Sequence, residues 1–206
     1  PSEVVTIGDP RMGEAWQQDR RVVTTLDVPG GPPALAAELA REIARRHTAA
    51  GTPSPTRALL ASTTGLPDAL AAAAWAHAEG LPLLLTAPQA LDPHTRFVLE
   101  QLGTTDVTVL GGVAAVSMAV EEELRSAGIA VDRVAGPTRE HTALAVAERR
   151  GLGLDRILVA AGDDPADAAA AGPWAAHSGA MVLPPGPTVA AALADRCGGG
   201  VVVQVA

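Results

Sequence analysis

Two carboxylates recur at matched positions in this chain: Asp68 in Leu66-Pro67-Asp68-Ala69-Leu70-Ala71-Ala72, and Asp167 in Ala166-Asp167-Ala168-Ala169-Ala170. Paired carboxylates are the groups of general acid and base work. The stronger reading is structural, because each falls in the first turn of a helix, where its charge meets the positive end of the helix dipole for about 0.3–1 kcal/mol. Gly111-Gly112 ends a β-branched run and leads into a helical pattern. Backbone N–H groups at such a turn can hold an anion. The Gly-x-Gly-x-x-Gly spacing and trailing acidic residue of a dinucleotide site are absent, so a tight strand-to-helix turn is the plainer account. Arg133 and Arg139 bracket Gly136-Pro137. Their guanidinium groups suit bidentate contact with phosphate or carboxylate, although arginine more often pairs with a neighbouring Asp or Glu. Trp75 and Trp174 occupy equivalent places in Ala-rich segments; they could stack sugars, but filling the core or the seam between units is the expected role.

Other chemistries find no anchor. The five His residues lack metal-ligand spacing and Cys197 is alone, so neither a metal nor a cofactor is expected. No Gly-x-Ser-x-Gly elbow is present for a hydrolase. A net charge of −8 argues against nucleic acid, whose binding rests on clustered positive charge. No apolar run approaches the roughly 20 residues that span a bilayer. The start at Pro1-Ser2-Glu3, without an initiator Met or an apolar leader, reads as a trimmed fragment. With aromatics at 2 % and a single Phe, the core must be built from Ala, Val and Leu.

The elements that carry these residues repeat. Arg57, Asp68, Trp75 and Gly80 are echoed by Arg156, Asp167, Trp174 and Gly179 at a constant offset (156 − 57 = 99). The expected division is a first unit over 22–128 and a second over 129–206 that lacks its last helix. Residues 1–21 form an extra strand and helix expected to close onto the second unit. Within a unit, short β-branched or Leu runs alternate with amphipathic segments, the pattern of a parallel sheet covered by helices. Strands are expected at 58–62, 83–86 and 107–110. Asp92-Pro93 and Asp164-Pro165 each put a capping carboxylate before a proline at the first helical position. Leu35, Leu39 and Ile43, then Val116, Val120, Leu124 and Ala127 with the charged Glu121, Glu122, Glu123 and Arg125 around them, then Leu144 and Ala147, recur at helical spacing and predict the buried stripes of three helices.

Three segments resemble the cell wall-binding repeat, second type, of Gram-positive surface proteins. The block at 66–72, followed by Leu81-Pro82-Leu83-Leu84-Leu85-Thr86, is similar to the family's Asp-Ala-Leu-Ala block and Ala-Pro-aliphatic strand. Val109-Leu110-Gly111-Gly112-Val113-Ala114-Ala115-Val116-Ser117 is similar to its Gly-Gly-x-x-Ala-Val-Ser signature. Arg133-Val134-Ala135-Gly136-Pro137-Thr138-Arg139-Glu140-His141-Thr142-Ala143 is similar to its Arg-x-x-Gly-x-x-Arg-Tyr motif, with Glu140 in the tyrosine's place. The resemblance implies two tandem Rossmann-like or flavodoxin-like α/β units that form a non-catalytic wall-anchoring module, extracellular at the cell wall. Its implied partner is an anionic wall polymer met by Arg133, Arg139, Gly111 and Gly112, with an effector domain fused outside this fragment. Two other readings stay open: a Rossmann-like small-molecule-binding protein or enzyme, and a self-association scaffold that forms homo-oligomers.

Overall fold

The computed structural model describes residues 3–7, 22–26, 28–151, 156–160, 165–196 and 201–204. Strands β1 (Glu3–Ile7) and β2 (Val22–Leu26) pair in parallel, Glu3 opposite Val22. The first large sheet holds β3 (Arg57–Ser62), β4 (Leu83–Thr86), β5 (Asp106–Leu110) and β6 (Ala130–Val134) in the order β4-β3-β5-β6, all parallel. A second sheet holds β7 (Arg156–Val159), β8 (Met181–Leu183) and β9 (Val201–Gln204) in the order β8-β7-β9, again parallel. The two sheets share the same strand order over their repeated parts. The architecture is therefore the expected α/β one, with parallel sheets covered by helices.

The expected helix start at Asp92 is present: its carboxylate accepts from His94 N at 2.8 Å ahead of α4 (Pro93–Gln101). The matching start at Asp164 lies outside the described residues, as do the expected helix at 8–21 with Trp16, and Cys197. Sequence repeat and sheet do not share a boundary. β6, which falls within the expected second unit, pairs with β5, and β2, within the expected first unit, pairs with β1. The crossover through α5 (Met118–Ser126) lays β6 parallel beside β5. Val134 is buried there.

Burial on both faces makes β3 a continuous apolar run. Leu59 and Ala61 point to one cluster, Ala58 and Leu60 to the other, following the period-two alternation of a strand. α1 (Gly31–Ala49), α4 and α5 fill one side of the sheet. α2 (Leu66–Ala71) and α3 (Ala73–Glu79) fill the other. This α2–α3 layer is shared, since α2 also packs on α6 (Arg139–Arg150) and α3 on α7 (Pro165–Ser178). One core cluster consequently runs from Leu59 and Leu110 of the first sheet to Ile157, Met181 and Leu183 of the second. Glu79 ties the seam, accepting from Trp75 Nε1 at 2.9 Å and Arg150 Nη1 at 2.9 Å, and pairing with Arg57 at 3.2 Å.

Four expectations about burial need correction. In α1 the buried face is Ala34, Ala36, Ala37 and Ala40, while Leu39 is exposed and Leu35 and Ile43 are half-buried. Small residues let this helix approach β4 and α4 closely, and the larger side chains lie along its flanks. Ala127 is exposed because α5 ends there. Glu121, expected among the solvated residues of α5, is buried. Trp75 is 3 % exposed, as expected of a seam residue, but its counterpart Trp174 is 43 % exposed. Ala171, Gly172 and Ala175 form the buried arc of α7, and Trp174 falls roughly 100° round the helix from its centre at 3.6 residues per turn.

Helix α8 (Pro187–Arg196) takes its N-terminal cap from another helix. The Glu140 carboxylate of α6 accepts from Thr188 N at 2.8 Å and Val189 N at 3.1 Å. Gly186 makes room for it, since a Cβ there would collide with that carboxylate. Glu140→Ala should lower stability by about 1 kcal/mol, the usual effect of losing a cap. Glu140→Gln should lower it less, and urea midpoints for the two variants check the order.

Candidate functional site

Strands β3 and β5 lie side by side, yet the chain leaves them in opposite directions, β3 toward β4 and β5 toward β6. Adjacent loops that diverge in this way open a crevice beyond the carboxyl ends of the strands, the usual ligand position in open α/β sheets. Such a crevice is present, about 240 Å³ in volume and lined by Thr64, Gly65, Pro67, Asp68 and Arg139. Each lining group is placed by a strand end. After β3 the chain turns tightly, Gly65 N donating to Ser62 O at 3.1 Å and Ser62 Oγ meeting Thr64 Oγ1 at 2.9 Å. α2 then begins, with Asp68 in its first turn. After β6 the chain passes Gly136, whose N–H donates to Thr142 Oγ1 at 3.0 Å, and Thr138 caps α6 so that Arg139 is its first residue. A Cβ on Gly136 would strike the backbone of α6, which explains the glycine between the two arginines.

The four residues expected to meet a polymer divide between two places. Arg139 lines the crevice. Gly111 backs it: its φ is +92°, and a Cβ there would run into the Asp68 carboxylate. The Gly111 N–H is already given to Val134 O at 2.9 Å. Gly112 has open space where a Cβ would stand. Arg133 is engaged within the protein. Its Nε donates to Glu121 Oε1 at 2.6 Å, its Nη2 to Val116 O at 2.8 Å and its Nη1 to Gly111 O. It thereby clamps both ends of the loop between β5 and α5. Of the paired carboxylates, Asp68 enters the crevice, and Asp167 lies in the first turn of α7. Among the described residues no group of three His, Cys, Asp or Glu could hold a metal.

Asp68 in the crevice and Glu121 of α5 are shifted in opposite directions. Burial pushes the Asp68 carboxyl above its ordinary 3.8, with the Arg139 charge working against it. Burial also acts to raise Glu121, but hydrogen bonds from Arg125 and Arg133 outweigh it and hold that carboxyl below its ordinary 4.5. The surroundings of Asp68 could not be read from its segment alone, because Gly111 and Arg139 come to it from distant parts of the chain.

Two wider grooves, about 620 and 440 Å³, lie open on the helix surfaces. The first is lined by Arg41, Arg45 and Glu38, which pair with one another. Neither lies at the strand ends that form the crevice.

Comparison with known proteins follows the same two-part division. The family model described as Cell wall binding domain 2 (CWB2) matches residues 34–121 and 133–203. The N-acetylmuramoyl-L-alanine amidase LytC of Bacillus subtilis (strain 168) is 33 % identical over 126 residues, 61 % of this chain and 25 % of that protein. Among solved structures, Cwp6 from Clostridium difficile superposes with a TM-score of 0.76 at 23 % identity over 99 % of this chain and 33 % of its own. Cwp8 from the same organism gives 0.68 at 20 % identity, over 99 % of this chain and 31 % of its own. The chain thus spans a third or less of the length of these relatives.

Two outcomes test the site's construction. Gly111→Ala should destabilise the fold by about 1–2 kcal/mol for the left-handed backbone alone, more with the Asp68 contact. Gly112→Ala should be within about 0.5 kcal/mol of the parent; equal effects in denaturant melts would contradict the geometry. The pH response of the two acids should have opposite sign. Glu121 stabilises the fold above pH 4.5, and that contribution is lost as pH falls through its lowered folded value. Asp68, raised, disfavours the fold while ionised, and the disadvantage lifts as pH falls through its raised value. Asp68→Asn should therefore melt about 2–4 °C higher than the parent at pH 7, with the advantage gone at acid pH. Glu121→Gln should melt lower at pH 7, costing about 3 kcal/mol, with a difference that shrinks in acid.

Proposed function

We propose that this chain, which belongs to the cell wall binding domain 2 (CWB2) family, holds an anionic wall polymer in the crevice beyond β3 and β5, with Arg139 as its cation. Family membership makes it a cell wall binding module and associates it with the cell surface. The observation that carries the finer reading is Arg139 itself, a guanidinium placed at the mouth of a helix in a crevice at the sheet's switch point. Helix N-terminus and arginine both favour a phosphate or carboxylate there. Arg133, which shares the motif, serves by holding the neighbouring loop rather than by meeting ligand.

The reading is non-catalytic, with chemistry left to a fused effector. LytC is named as an amidase, but this chain matches a quarter of it. Its location is extracellular, at the wall. A second reading, a small-molecule site, draws on the same switch-point position. The crevice at 240 Å³ is smaller than the roughly 300–1,000 Å³ of ordinary small-molecule sites. A rise in melting temperature with nucleotides would favour this alternative.

Retention on purified wall material, with and without its anionic secondary polymer, tests the proposal. Retention should require the polymer, weaken as salt is raised above the 0.1 M at which the Debye length is about 10 Å, and fall about fivefold or more in Arg139→Ala. Arg139→Lys should be intermediate, keeping charge and losing the fork. Equal retention on stripped and intact wall would sink the reading.

A further inference from the structure

We infer that Asp68 is the specificity-determining residue of this crevice, rejecting doubly charged phosphate groups and accepting a ligand hydroxyl, so that singly charged links of a hydroxylated polymer are held. The inference rests on the crevice being the polymer site. A pocket built only to hold an anion would surround it with cations and N–H groups. Here one of the lining residues is a carboxylate, which only accepts hydrogen bonds when ionised. The carboxylate is fixed in place, packed against Gly111 where a side chain would otherwise stand. The Gly111 N–H is taken by Val134 O, so the adjoining turn does not offset Asp68 from that position.

Two charges of opposite sign, Asp68 and Arg139, therefore face one small volume. A dianion placed between them doubles the pull of Arg139 and the push of Asp68 alike, while its greater charge makes it costlier to strip of water and it has no O–H to donate to the carboxylate. A monoanion enters at a lower desolvation cost. If it carries a hydroxyl near the charged group, that hydroxyl donates to Asp68 while the anionic oxygens meet Arg139. Each pole of the site is then used, and selectivity comes from the repulsive element as much as from the attractive one. Burial disfavours the ionised form of Asp68, so the fold keeps this carboxylate against its own stability.

The full chain should be titrated at pH 8 with two probes, followed by NMR shifts: inorganic phosphate, mainly dianionic, and glycerophosphoglycerol, a singly charged diester with free hydroxyls. The parent should favour the diester about tenfold. Asp68→Asn, which keeps the shape and an acceptor oxygen but not the charge, should hold the diester within about threefold and gain about tenfold for phosphate. Asp68→Ala, which removes the acceptor, should lose about tenfold for the diester. Inferred selectivity is overturned if Asp68→Asn changes both probes by the same factor, or if the parent prefers phosphate. Arg139→Ala should weaken both probes. Should it leave both unchanged, the crevice is not the anion site and the proposed function fails at that point, an outcome separate from a loss of selectivity alone.

Discussion

Arg133 reaches from β6 to three acceptors at once: Glu121 of α5, and the carbonyls of Gly111 and Val116 at either end of the loop between β5 and α5. Glu121 is 6 % exposed and also pairs with Arg125. A buried pair of this kind adds little net stability over an apolar substitute, because desolvation offsets the attraction. Its contribution is geometric. Two backbone carbonyls that would otherwise be stranded at a strand end are satisfied by one rigid fork. The loop can then take only one path, and that path sets Gly111 against Asp68. The fastener lies behind the crevice and the crevice depends on it.

Shared layers extend the same logic to the two repeats. The α2–α3 layer covers the first sheet and is itself covered by α6, α7 and β8. Asp68 stands in this layer, and Arg139 stands on α6, the helix that the sequence assigns to the following repeat. The crevice is therefore assembled across the junction of two repeats rather than inside one. Trp75 and Trp174 can be equivalent in sequence and differ in surroundings for this reason. A repeat folds the residue into place, and the next repeat decides what it faces.

The strands expected at 58–62, 83–86 and 107–110, found within a residue of those bounds, and the Asp92 cap were legible in the sequence because each depends on residues close by in the chain. The Gly-Gly turn was legible as a turn. Its two glycines were not distinguishable, since only Gly111 is crowded and the crowding comes from Asp68, far away in the chain. Glu121, Glu122 and Glu123 look alike as a charge run. What separates Glu121 is Arg133 on a neighbouring strand, and the motif that marks Arg133 reads equally well as ligand-binding. Glu140 departs from the family's tyrosine, and its place becomes intelligible only when α8 is seen to take its cap from it. The Leu stripe of α1 misled for a different reason: hydrophobicity ranks Leu above Ala, while close helix packing rewards the smaller residue.

On the proposed reading, charge rather than stacking carries recognition at the crevice. Sugar sites commonly lay an aromatic ring against the sugar face, but aromatics are 2 % of this chain, Trp75 is committed to the seam, and no aromatic lines the crevice among the described residues. With a net charge of −8, the protein as a whole repels an anionic polymer. Attraction has to be local and short in range, and a cation at a helix N-terminus, where the backbone N–H groups add to its field, supplies it. The cost of such a site is that its cation sits beside a carboxylate of the same fold. On that reading the neighbour lowers affinity for bare anions and leaves the crevice responsive to what else the ligand carries.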